Sequence, residues 1–325
     1  ANGVDLLVCH LLRETPSWED IPAATREQLE QRTRDAIAVD LARTSDLAAL
    51  NEALAREGQQ VLLLKGAALA RTHYPQPYLR ARVDTDLMIE PDRIRQVRAL
   101  LAGLDYDLVG WTYKSHQFNA TKEKYGGRVI RYDVHWRANN GSKYARVIGF
   151  EDALAESVPV PGIDGARTLG PVHSLMLACM HRAATLSTQR DRLVWLYDMH
   201  LLVSAMSEEE ISTFAARAKA ASIQQECHAA LDECSRCFGT ILSPELMTAL
   251  AGKPGSKAHT SRFARSQLAL LLDDVWQLPD WGSRFEMLRE FLFPPGDYLL
   301  FRYGKEQRYW VPVLYCRYLF GGIYE

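Results

Sequence analysis

Val61-Leu62-Leu63-Leu64-Lys65-Gly66, followed after a short interval by Arg82-Val83-Asp84-Thr85-Asp86-Leu87-Met88-Ile89, decides the fold of this sequence. The apolar run Val61 to Leu64 reads as a buried strand, and Lys65-Gly66 breaks it where a helix over Ala67 to Thr72 can begin. A helix start offers free N–H groups to an anion. In the second stretch, strand alternation puts Asp84 and Asp86 on one face and Thr85 on the other. Two adjacent carboxylates repel unless a cation neutralises them, and oxygen donors of this kind suit Mg²⁺ or Mn²⁺ rather than zinc. The two stretches together read as a site for a nucleoside triphosphate and its metal.

Outward from this pair, strand and helix signals alternate. Strands are expected at Val61–Leu64, Asp86–Ile89, Tyr106–Trp111, Gln117–Thr121 and Val129–Trp136, with a helix at Ile94–Leu101. In Val129-Ile130-Arg131-Tyr132-Asp133-Val134-His135-Trp136 the alternation sets Arg131, Asp133 and His135 on one face. If this strand neighbours the Asp84/Asp86 strand, Asp133 completes a cage of three carboxylates. Such a cage suits two divalent ions about 3.5–4 Å apart, which activate an attacking hydroxyl and stabilise a leaving phosphate. Lys122, Lys124, Arg128 and Arg131 cluster around Gly126-Gly127, which reads more readily as a solvated basic turn than as a phosphate or RNA contact.

Before this module, the Ala-, Leu-, Glu- and Arg-rich stretch from Thr25 to Gly58 reads as a long helix closed by its glycine. After Pro171 the texture becomes helical, at His173–Leu186, Leu193–Ser204, Glu208–Ala221, Gln224–Phe238 and Arg262–Trp276. The final stretch is dense in aromatics, including Tyr298, Phe301, Tyr303, Tyr309 and Trp310, and is costly to leave exposed. The expected organisation is therefore N-terminal helices over 1–58, an α/β core over 59–170, a helical domain over 171–290 and an aromatic tail over 291–325 packed on the body. His181 and Asp198, each on a helix, suggest an interhelical hydrogen bond.

Bulk properties narrow the partners. The chain has 325 residues, 47% of them hydrophobic, and its 38 basic and 40 acidic side chains give no overall field toward nucleic acid or anionic membrane. Six irregularly spaced cysteines argue against a secreted disulfide framework, and the C-x-x-C at Cys234 and Cys237 lacks the second pair a zinc site needs. Without an apolar run of about 18–20 residues or a leader of the export type, the expectation is a cytoplasmic protein with no membrane partner.

A D-x-D alone is often a solvated turn. Lys65-Gly66, then Asp84-x-Asp86, then Asp133-Val134-His135-Trp136 is more specific, and it resembles the nucleotidyltransferase superfamily with the DNA polymerase β fold. More narrowly, the sequence resembles a bacterial family of uncharacterised nucleotidyltransferases, in which a Lys-Gly pair stands where the wider superfamily has Gly-Ser. His181 and Arg192-Leu193-Val194-Trp195-Leu196-Tyr197-Asp198 resemble the helical signature of that family. The resemblance runs from about Leu47 to Ala205, and more loosely over Phe293-Pro294 and Arg302-Tyr303.

It implies an α+β fold: a small mixed sheet flanked by helices, with an added helical domain. It also implies that Asp84 and Asp86 bind both metal ions while Asp133 binds the catalytic one and helps deprotonate the acceptor. Gly66 would admit the triphosphate closely, Lys65 would supply phosphate charge, and Arg80 and Arg82 would neutralise the β and γ phosphates. His135 and Arg131 would stand behind these groups as supports. The expected reaction moves a nucleoside monophosphate from an NTP to a hydroxyl on a protein, tRNA, peptide or small molecule, with release of pyrophosphate. Phosphoryl transfer or hydrolysis by the same cage, or nucleotide binding without catalysis, are the alternatives.

Overall fold

Helical periodicity in the N-terminal third produces α1 (Asp5–Arg13) and the long α2 (Ala23–Arg56), and α2 hands the chain to the sheet through Gly58 at φ +65°. A left-handed residue there ends the helix at little steric cost. The core of α2 burial lies in its last turns, at Asp46, Leu47, Leu50, Asn51 and Leu54. The structure is a computed structural model that describes residues 2–112, 116–124, 127–140, 143–186, 190–251, 275, 281–305 and 307–321.

The chain then forms β1 (Val61–Leu64), α3 (Lys65–Thr72), β2 (Thr85–Ile89), α4 (Ile94–Gly103) and the strands β3 (Asp107–Thr112), β4 (Gln117–Lys124) and β5 (Arg128–His135). Next come α5 (Phe150–Ala155) and the two-residue strands β6 (Val158–Pro159) and β7 (Arg167–Thr168), which the sequence reading did not foresee. Among the described residues the strands form one mixed sheet in the order β3-β4-β5-β2-β1-β7-β6. The fold class is α+β, as expected. The β1–β2 pair is antiparallel and β2–β5 is parallel, so the two acid-bearing strands are neighbours.

Alternation sorts the sheet residues between two cores. Leu62, Leu64 and Met88 face α6 (Pro171–Leu186), α7 (Leu193–Ala205), α8 (Glu208–Ala220), α9 (Gln224–Phe238) and α10 (Pro244–Leu250). Leu63, Leu87, Ile89, Phe118, Ile130, Tyr132 and Val134 face the opposite core, with α2, α4 and the C-terminal helices α12 (Gly296–Arg302) and α13 (Val311–Gly321). A further helix, α11, spans Trp281–Leu292. Tyr298, Leu299, Leu300, Leu314 and Tyr318 are buried against that second face, on the far side of the sheet from the acids. The expected helix at Arg262–Trp276 lies, apart from Val275, outside the described residues.

Two local expectations change. Lys122 and Lys124 turn inward instead of forming a solvated turn: Lys122 Nζ donates to Leu104 O at 2.5 Å, and Lys124 pairs with the fully buried carboxylate of Asp46. Asp46 also accepts from the hydroxyls of Tyr106 and Tyr132 at 2.6 and 2.7 Å, so a buried acid absorbs the lysine. Asp198, on α7, bonds to Arg80 and Tyr74 rather than His181, whose ring packs edge-on against Trp195. No helix among the described residues is long and apolar enough to cross a membrane.

Candidate active site

Register brings the acids together. On the parallel β2–β5 pair Asp86 stands directly opposite Asp133, and Met88 opposite His135. On its other side Asp86 faces Leu64, the residue immediately before Lys65. Asp84 sits just before β2, with Asp86 two residues on. All four side chains line a cavity of about 450 Å³ between the sheet and the helices α6 and α7.

Lys65 starts α3 with φ +51°, a conformation a non-glycine residue adopts only under constraint. The bend carries the ammonium onto the acids: Nζ donates to Asp86 Oδ1 at 2.8 Å. His135 Nε2 lies 2.9 Å from the same oxygen, and its Nδ1 is buried without a partner.

Electrostatics separate the three carboxyls. Burial would push Asp86 up, but Lys65 and the His135 hydrogen bond hold it far below the usual carboxylate range. Asp84 is raised, by burial first and then by the charges of Asp86 and Asp133. Asp133 is raised by burial and by Asp86, although Asn119 Nδ2 donates to its Oδ1 at 2.5 Å and pulls the other way. Asp86 is thus held charged, while burial and the neighbouring acid charge work against ionisation of Asp84 and Asp133. A bound cation relieves such a cluster.

Asp86, Asp133 and His135 place one ligand atom each within 4.8 Å of one another. The carboxylate oxygens, with a third carboxylate at the rim, suit a hard divalent ion, whereas an imidazole donor favours a borderline one. His135, expected as a support, contacts Asp86 through the same Nε2 that this group would offer to an ion, and Asp84 lies beside the cluster. Arg131 shares their strand face but is exposed, and it does not line the cavity.

The arginines expected at the phosphates are both engaged with acids. Arg80 makes a bidentate pair with Asp198, through Nε at 2.8 Å and Nη2 at 2.6 Å, and its side chain is only 9% exposed. Arg82 Nη2 pairs with Asp40 at 2.9 Å. The space above Gly66 is filled by the Arg80 guanidinium: a Cβ added there would lie 3.0 Å from its Cζ. In this structure Gly66 makes room for an arginine that packs on the start of α3 and bonds to Asp198 on α7.

Sequence reasoning did not single out Asn119, and on the helical wall of the cavity it named Arg192 and Trp195 only as part of a resemblance, and His181 as part of it and for an interhelical hydrogen bond. Ser174, Leu177, Ala178, His181 and Thr185 lie on one face of α6 at helical spacing, and Arg192 and Trp195 come from the start of α7. Burial, reinforced by the positive charge of Lys65, pushes His181 down to about 3, so its ring is neutral at neutral pH. The i, i+3, i+4, i+7 pattern on α6 was visible but is shared by any helix buried on one side.

Residues 1–239 match a protein family described as uncharacterised nucleotidyltransferase. No curated protein matches the sequence. Among solved structures, the chain is similar to the solution structure of the antibiotic-resistance factor ANT(2'')-Ia, at 15% identity over 61% of this chain and 98% of that one, with a TM-score of 0.41. It is also similar to the crystal structure of an antigenic nucleotidyltransferase-like protein from Paracoccidioides brasiliensis, at 17% identity over 64% of this chain and 91% of that one, again with a TM-score of 0.41.

Proposed function

The chain belongs to this family of uncharacterised nucleotidyltransferases, and from that membership we propose that it moves a nucleoside monophosphate from an NTP to a hydroxyl-bearing acceptor, releasing pyrophosphate. The observation that carries the reading is the register of Asp86 opposite Asp133, with His135 completing the ligand group and Lys65 above it. Asp84, Asp86 and Asp133, with His135, would hold Mg²⁺ or Mn²⁺. When bound, such an ion neutralises phosphate charge and lowers the pKa of an oxygen attached to it.

The residues of the chain then divide the work. The acceptor oxygen attacks the α-phosphorus, the bond from that phosphorus to the bridging oxygen breaks, and pyrophosphate leaves with the electron pair. Asp133, held by Asn119 and raised by burial and by Asp86, takes the proton of the acceptor in its ionised form. Lys65 supplies positive charge beside Asp86. Residues 59–170 carry the donor chemistry in this reading, and the helices after 170 wall the side from which the acceptor enters.

The test is incubation of the protein with each labelled triphosphate, Mg²⁺ or Mn²⁺, and cell lysate. Label attached to one acceptor together with pyrophosphate release is the expected outcome, lost in Asp86→Asn and Asp133→Asn. Release of inorganic phosphate instead would replace the proposal with phosphoryl transfer or hydrolysis. Binding without turnover would leave a nucleotide-binding module.

A further inference from the structure

Among the described residues four cations line the cavity: Lys65, Arg80, Arg82 and Arg192. Three of them already face acids. Lys65 is on Asp86, Arg80 on Asp198 and Arg82 on Asp40. The last two pairs are deeply sheltered, with side-chain exposures of 9% and 6% for Arg80 and Asp198 and of 6% and 13% for Arg82 and Asp40. Drawing Arg80 to a phosphate would strand the buried carboxylate of Asp198, which is strongly unfavourable, and Arg82 would have to leave a sheltered pair with Asp40, which Arg71 also faces at 3.8 Å.

Arg192 is different. Among the described residues its guanidinium has no acidic partner, since the neighbouring carboxylate of Asp191 is taken by Arg182 in a bidentate pair and accepts only the backbone N–H of Arg192. Its Cζ lies over the Trp195 ring, 5.6 Å from the centroid. An arginine lying over an aromatic ring keeps the N–H edge of its fork available while the face is held. That edge suits two phosphate oxygens, in the paired geometry at which arginine excels.

We infer that Arg192, held by Trp195 at the start of α7, grips the terminal phosphates of the nucleotide from the helical wall, in place of Arg80 and Arg82. The assignment rests on the nucleotidyl-transfer reading above. Its consequence is that the triphosphate is clasped between α3 on the sheet side and α7 on the helical side. Arg80 and Asp198 tie the segment before β2 to α7 without touching the ligand.

Equilibrium binding of inorganic tripolyphosphate, of ATP, CTP, GTP and UTP, and of the monophosphate of whichever base binds, all with Mg²⁺, tests this in the wild type, Arg192→Ala and Arg192→Lys. The alanine variant is expected to bind triphosphates roughly tenfold or more weakly, as for loss of a charge-assisted contact, with monophosphate affinity unchanged. Lysine restores part of the loss, because it returns the charge without the fork. Arg192→Lys also serves as the deciding variant if the alanine protein melts early. Equal triphosphate affinity in the wild type and the variants overturns the role of Arg192 and leaves the proposed reaction standing. Equal weakening of monophosphate and triphosphate overturns the terminal-phosphate assignment. A wild type that binds no triphosphate at all overturns both.

Discussion

Lys65 Nζ and His135 Nε2 converge on a single oxygen, Asp86 Oδ1, at 2.8 and 2.9 Å. Lys65 reaches it from a left-handed backbone, whereas His135 reaches it from the neighbouring strand. The ammonium thus supplies, from within the chain, positive charge that three clustered carboxylates require. A divalent ion at Asp86 and Asp133 would compete with it for that oxygen. The relationship predicts how the site responds to losing the lysine.

Lys65→Met should lower thermal stability in metal-free buffer, because Asp86 loses its nearest cation, and added Mg²⁺ or Mn²⁺ should restore more stability to the variant than to the wild type. Melting curves with and without each ion measure the difference. A variant whose melting temperature ignores both ions would show that the acids do not form a cation site.

Arg80 and Asp198 are each less than a tenth exposed and are joined by a bidentate pair, with Tyr74 donating to the same carboxylate at 2.8 Å. Removing one partner leaves an uncompensated buried charge, so Arg80→Ala or Asp198→Ala should each cost about 3–5 kcal/mol of stability. The double variant should cost less than the sum, since no charge is stranded when both are gone. Urea denaturation of the four proteins closes the cycle. Strict additivity would mean that Arg80 and Asp198 are not energetically coupled.

How far the sequence reveals this site depends on the range of the interaction. Strand alternation is local, so the shared face of Asp84 and Asp86, and of Asp133 and His135, follows from spacing alone. Their mutual approach requires β5 to pair with β2 in one particular register, a long-range fact. The partners of Arg80 and Arg82 are harder still. Asp198 is 118 positions away and Asp40 is 42, so nothing near either arginine signals that it is already neutralised. The inward turn of Lys124 onto Asp46, 78 positions away, was hidden for the same reason. The early start of α3 escaped because a lysine at positive φ runs against its own preference, and only the contact with Asp86 explains it.

His181 should make stability fall in acid. Its folded-state value, pushed down to about 3, lies below the unfolded value of about 6.5, so the folded protein favours the neutral ring. Stability from this group is present above about 6.5 and is lost progressively as pH falls toward about 3. His181→Phe keeps an aromatic edge against Trp195 and removes the titrating nitrogen. Unfolding free energies at neutral pH and near pH 5 should therefore diverge less in the variant than in the wild type. An identical acid loss in both would assign it to other groups.

Asn119 stands opposite Asp133 on the β4–β5 pair and donates to its carboxylate at 2.5 Å. The bond fixes one carboxylate oxygen and partly offsets the rise in pKa caused by burial and Asp86. Asn119→Ala leaves Asp133 able to rotate and raises it further. The rate of nucleotide transfer should therefore drop about tenfold, within the range typical of acid–base positioning, while triphosphate affinity stays near wild type. The acid limb of the rate profile should also move to higher pH, because Asp133 must be ionised to take the acceptor proton. Asn119→Asp should be more severe, since it sets a further carboxylate against a crowded acidic cluster. Rates measured across pH with the acceptor identified by labelling decide it: a variant with an unchanged profile and an unchanged rate would remove Asp133 from the role of base.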